Sequence, residues 1–156
     1  MQHSKNRKSL TLTTLALACS IAGFSAASIA DYKTFVPSPG QPYYFEDGKV
    51  DFGTYNGFRR YHADCHVCHG PAGMGSSYAP ALMDSLKVMT WGDFVNVVVS
   101  GREGFDNRVM PSFAKNVDVI KNLQDIFAYL KARADGVIGP TRPDRFPKGP
   151  SQPRER

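Results

Sequence analysis

Beyond residue 30 the chain has only two cysteines, Cys65 and Cys68, out of three in 156 residues. A bridge between neighbours that close would shut a tiny loop and contribute little, so a disulfide framework is excluded as the source of stability. Past the leader no apolar run approaches the roughly 20 residues of a membrane-spanning helix. No carboxylate cluster resembles a calcium loop, so no second metal is expected. Repeats are missing, and the valine-rich run at 95–99 finds no second strand candidate to pair with, so it reads as helix rather than strand. Positive charge is also scarcer than the formal +5 suggests. The first 30 residues hold three of the 19 basic residues and none of the 14 acidic ones, so residues 31–156 carry about +2. What excess remains lies after Arg142, and a nucleic-acid partner loses its main support.

What is present begins with a three-part export signal over residues 1–30. Lys5, Arg7 and Lys8 precede the mostly apolar Leu10–Ala22, and Ser28-Ile29-Ala30 offers a cleavage site before Asp31. This predicts a periplasmic protein cleaved after Ala30. Residues 31–50, with Pro37, Pro39 and Pro42 among aromatics, read as an extended arm lying on a domain that spans 51–138. A first helix is expected from about Thr54, capped by Thr54 or Asp51, and Gly57 inside it asks for a close approach by another backbone. "TWGDFVNVVVSG" has a capped helix pattern with Thr90 as cap and Asp93 three residues on. Asp118 is the expected cap of a last helix whose stripe is Ile120, Leu123, Ile126, Phe127 and Leu130. The proline-rich, basic segment 139–156 has little to bury and reads as a mobile tail.

The stretch "HADCHVCHG", residues 62–70, concentrates the chemistry. Cys-x-x-Cys-His serves covalent haem, half of a zinc site, or thiol–disulfide exchange. Zinc needs four ligands, usually in two separated pairs, and only His62, His66 and His69 accompany the thiols, all on the same turn. A redox disulfide needs a strand before the motif, where the pattern is already helical. Covalent haem c asks for no more than is there: thioethers from Cys65 and Cys68, and His69 as the first iron ligand. It also supplies apolar volume to a domain with a limited core of its own.

The second iron ligand must come from elsewhere. His62, His66 and Met74 share the motif's neighbourhood and cannot cross to the other haem face, so both histidines are expected to be exposed or locally hydrogen-bonded. Met83 and Met89 flank a short helix and read as packing. Met110 lies 41 residues beyond His69, in a loop restricted by Pro111. It is the expected ligand.

At these residues the chain resembles the class I cytochromes c, through "CHVCH", "MPSF" and a last helix reading "IFAYLKAR". The resemblance covers about residues 51–138 and implies an all-α fold, three or more helices wrapped around one haem. It also implies that Gly57 marks a crossing of the first and last helices, where Phe58 or Tyr61 meets Tyr129. Pro80 in "YAPAL" would match the proline whose carbonyl accepts the His69 ring N–H. More narrowly, "YNGFRRYHADCHVCHGPAGMGSSYAPAL", "VVVSGR", "VMPSF" and "YLKARADG" resemble periplasmic cytochromes of the c550 or methanol-metabolism type. That implies a monomeric electron carrier rather than an enzyme. Its donor would be a PQQ-dependent alcohol or methanol dehydrogenase, its acceptor a downstream cytochrome or terminal oxidase. Lys87, Arg102, Arg108 and Lys115 flank the expected haem loops and are candidates for a docking ring. The alternatives are a haem-bearing subunit of a larger complex, or a five-coordinate haem enzyme or gas sensor.

Overall fold

Asp51 starts the first helix. In the computed structural model, which describes residues 37, 38, 40–104 and 108–148, its carboxylate accepts from Thr54 N (3.0 Å), Thr54 Oγ1 (2.6 Å) and Tyr44 N (2.9 Å). Helix α1 therefore runs Phe52–Asp64, with Thr54 in its first turn rather than at its cap. Residues 1–30, expected to be an export signal, residues 31–36 and residues 149–156 lie outside the described residues.

After α1 come α2 (His66–His69), a single 3₁₀ turn (Pro71–Gly73), α3 (Met83–Val88) and α4 (Trp91–Ser100). The valine-rich segment is helical, as the cap pattern predicts. Thr90 Oγ1 accepts from Asp93 N at 3.2 Å while Asp93 Oδ2 accepts from Thr90 N at 3.2 Å, closing both sides of the capping box. The last helix is two pieces, α5 (Val117–Lys121) and α6 (Leu123–Ala134), and its cap is not Asp118. Asn116 Oδ1 takes the Asp118 and Val119 N–H groups, each at 3.1 Å, which puts Asp118 inside the first turn. Asn122 breaks the run: its amide donates back to Asp118 O (2.7 Å) and accepts from Asn56 Nδ2 (2.8 Å) on α1.

The core lies where α1 crosses α6. A Cβ on Gly57 would overlap the Asp125 carbonyl oxygen and stand 2.9 Å from Tyr129 Cβ, so this crossing admits only glycine. Both Phe58 and Tyr61 meet Tyr129, each at a 5.6 Å ring separation. Asn56 Nδ2 satisfies the buried Asp125 carboxylate at 2.7 Å beside the glycine. On the other side of α6, Trp91 and Phe94 of α4 pack on Phe127.

Short strands tie the ends to this frame without changing the class. β1 (Phe45–Glu46) and β2 (Lys49–Val50) form a hairpin through the Asp47-Gly48 turn, and β3 (Arg102–Glu103) pairs with β4 (Val109–Met110). The segment after Gly139, expected to be mobile, is instead laid along the domain as far as Lys148. There β5 (Asp144–Arg145) pairs in parallel with β2, and Phe146 is buried against Tyr44. Arg145 lies over the rings of Phe52 and Tyr55, and Lys148 over Phe52. The basic side chains that suggested a solvated tail are thus partners for helix aromatics. Phe146→Ala is expected to remove about 2 kcal/mol of docking energy, the value of burying one such side chain. Limited trypsin digestion checks it: cleavage after Arg145 should accelerate while the remainder of the domain stays resistant.

Candidate functional site

Cys65 ends α1 yet stays in the helical region (φ −102°, ψ −30°), and its N–H bonds Tyr61 O at 2.9 Å. The helical path therefore carries through the motif. His69 N bonds Cys65 O at 3.0 Å, so thiol and imidazole sit one turn apart. Tyr61, fully buried, donates its hydroxyl to Gly70 O at 2.7 Å and anchors the motif's end to the core.

The loop that follows folds back on the motif. Gly75 N bonds His69 O (2.7 Å), Ser76 Oγ donates to Cys68 O, and Leu82 N bonds Gly73 O (2.8 Å). These bonds place the Pro80 carbonyl oxygen 3.0 Å from His69 Nδ1. A carbonyl can only accept, so Nδ1 carries the proton and Nε2 keeps its lone pair. His69 is buried, and no hydrogen bond among the described residues occupies Nε2.

Cys65 is partly buried, Cys68 is exposed, and both thiols are free. Burial, reinforced by Asp64 and Cys68, pushes the Cys65 thiol up to about 12. A low-pKa thiolate, as redox exchange or zinc coordination would use, is not what this environment favours. Among the described residues no group of three or more His, Cys, Asp or Glu is placed to hold a metal ion.

Met110 is half-buried and sits on β4, paired with Arg102, rather than in an open loop. Its neighbours fix it closely. Phe113 N bonds Val98 O (3.0 Å) and Ser112 Oγ donates to Val99 O (2.5 Å), tying the segment to the end of α4. Gly101, at φ +79°, lies so near that a Cβ there would stand 2.6 Å from Met110 O and 2.8 Å from Ser112 N. Of the other methionines, Met74 is 58% exposed with its sulfur 3.7 Å from Arg133 Nη2, and Met83 and Met89 pack against the core.

His62 and His66 are local, as expected. His62 Nδ1 is 2.8 Å from Phe58 O, and the two rings stand edge to face at 5.1 Å. Within the expected docking ring, Lys87 already pairs with Asp84 at 2.9 Å, while Arg102 and Lys115 are exposed. Exposed Val67, inside the motif, and exposed Tyr78 line one groove, apolar surface that sequence reasoning did not single out because isolated surface residues carry no periodic signal.

The motif fits covalent haem: two free thiols and a buried imidazole with one nitrogen oriented and the other open. Comparison with known proteins agrees. Residues 54–130 match the family described as cytochrome C oxidase, cbb3-type, subunit III. Cytochrome c-553I of Paracoccus denitrificans is 48% identical over 101 residues, 63% of this chain but 45% of that protein, so the chain spans less than half of that relative's length. Cytochrome c-555 of Methylococcus capsulatus (strain ATCC 33009 / NCIMB 11132 / Bath) is 40% identical over 90 residues, 57% of this chain and 69% of that one. The crystal structure of c-type cytochrome XoxG from Methylobacterium extorquens AM1 superposes with a TM-score of 0.61 at 41% identity, over 75% of this chain and 77% of that chain.

Proposed function

The chain belongs to the class I c-type cytochromes, single-haem electron carriers with covalent haem c, and from that premise we propose which residues hold the haem and what donates to it. Cys65 and Cys68 would form the thioethers, His69 and Met110 would ligate the iron, and the Pro80 carbonyl would orient His69. The observation that carries this reading is the His69–Pro80 bond of 3.0 Å, one turn after the thiols. When bound, the haem supplies a reversible one-electron iron couple, raised in potential by thioether ligation.

The chain's own residues do the rest. Pro80 fixes the His69 tautomer and raises the basicity of its free nitrogen. Tyr61 and the Gly75 and Ser76 bonds hold the motif rigid, so little reorganises as charge changes. Arg102 and Lys115 steer a partner, and Val67 and Tyr78 give it apolar contact in an encounter of less than about 1,200 Å².

The donor we propose is a periplasmic PQQ-dependent alcohol or methanol dehydrogenase, and the acceptor a downstream cytochrome or terminal oxidase. The quoted motifs that resemble methanol-metabolism cytochromes support this. Residues 1–30 would be the export signal and 51–138 the haem domain. Among the described residues no helix is long and apolar enough to cross a membrane. The test mixes the oxidised cytochrome with such a dehydrogenase and its alcohol. Haem reduction at catalytic dehydrogenase concentrations is expected, slowing several-fold as added salt shortens the screening length from about 30 Å at 0.01 M to about 8 Å at 0.15 M. Absence of reduction with every candidate dehydrogenase would remove the donor assignment and leave the haem ligands standing. A second reading, a haem-bearing subunit of a larger complex, draws on the matched family's description as an oxidase subunit. Sedimentation of the native protein as a complex would favour it.

A further inference from the structure

His62 and His66 are absorbed by nothing above. They are four residues apart, and the helical path continues through Cys65 between them, so both project from one face. Their ring centroids are 5.1 Å apart. The Phe58 carbonyl, 2.8 Å from His62 Nδ1, can only accept, so His62 carries its proton on Nδ1 and presents the Nε2 lone pair. This is the outer hydrogen bond that metal-ligating histidines commonly make, and it restrains the ring before any ion arrives. Phe58 itself supports the imidazole at a ring separation of 4.3 Å, and Tyr61 closes its other flank edge-on at 5.1 Å. His66 makes no hydrogen bond among the described residues, which leaves its nitrogens available.

Both histidines line one open groove of about 560 Å³, which Ser76, Ser77 and Tyr78 line as well. It is large enough for an ion with its water ligands and supplies hydroxyl oxygens rather than a competing cation. Paired imidazole nitrogens suit borderline cations such as zinc, nickel and copper(II), and do not suit calcium or magnesium.

We infer that His62 and His66 form a surface site for one divalent transition-metal ion, bound through the two imidazoles and completed by water, on the turn that carries the cysteine motif but separate from the haem ligands. With two protein ligands it is an exchangeable site, not a structural one. Nothing in this inference depends on the donor, on Met110 or on the state of the haem.

The test titrates zinc sulfate into untagged holoprotein by calorimetry, following the histidine ring protons by NMR. Beyond residue 30 the sequence contains only His62, His66 and His69, so background is small. One zinc per chain is expected well below millimolar zinc, with His62 and His66 ring signals shifting together. His66→Gln and His62→Gln should each weaken binding about tenfold or more, the loss typical of disturbing a metal site, with the haem spectrum unchanged. His66, partly buried and without hydrogen bonds, can be replaced at little structural cost, so its variant decides the matter even if His62→Gln folds poorly. Absence of a one-to-one phase, or undiminished affinity in His66→Gln, would overturn the site.

Discussion

Met110→Ala is expected to retain covalently attached haem while losing the near-infrared methionine-to-iron band of the oxidised protein. Its midpoint potential should fall by about a few tenths of a volt, a substantial part of the roughly 0.8 V over which axial ligands tune haem iron. The reduced variant should also bind carbon monoxide at neutral pH, because one axial position is open. The size of the effect follows from the change of ligand in a segment whose backbone is held in place. Gly101, Val98 and Val99 hold the Met110–Phe113 segment by close contact and hydrogen bonds, so no neighbouring residue can swing in as a substitute. Met74 is the competitor to eliminate. Its sulfur faces Arg133 Nη2 at the surface, and Met74→Ala should leave band and potential near the parent values. If the two variants behaved the other way round, the ligand assignment would fail while covalent haem remained. Spectroscopy with a redox titration of both variants checks this.

How far such a site is visible before any coordinates depends on how local its causes are. The cysteine motif, the Thr90 capping box and the apolar stripe of the last helix are short-range patterns, and each appears where the residues predict it except at Ile120, which the stripe included but which lies exposed. Gly57 was informative for a different reason: a glycine inside a helix costs about 1 kcal/mol against alanine, so its presence signals a contact that nothing else permits. The failures were non-local. The Asn116 cap and the Asn122 break could not be separated from Asp118 by pattern, since all three can cap a helix, and the choice depends on Asn56 arriving from α1. The segment after Gly139 has the composition of a solvated tail. Its anchors are a backbone ladder to β2 and rings of α1, nearly a hundred residues away in sequence. Met110 looked like a bare loop residue because a two-residue ladder with Arg102 leaves no periodic trace.

Gly57→Val is the second large expected effect, and it tests the frame rather than the iron. The Asp125 backbone occupies the space a Cβ would need, and Tyr129 Cβ is 2.9 Å from it, so relief requires α1 and α6 to move apart. Separating them would loosen Phe58 and Tyr61 from Tyr129 and pull Asn56 from the buried Asp125 carboxylate, exposing an interior carboxyl group to an unfavourable setting. Overpacking of this kind costs about 1–3 kcal/mol where side chains can yield; backbone cannot, and with the polar pair added the expected loss is about 4 kcal/mol or more. That is comparable to the whole stability of a marginal domain. Tyr61 is also the residue that holds the end of the cysteine motif through Gly70, so the variant should mature with much less haem as well as unfold at lower denaturant. Gly139→Ala serves as control, since no atom lies within 4 Å of the added methyl and its backbone imposes no strain; its stability should match the parent or slightly exceed it. Denaturant midpoints and haem yield for the two variants decide the matter, and a Gly57→Val protein as stable as the control would mean that α1 and α6 do not meet at this glycine.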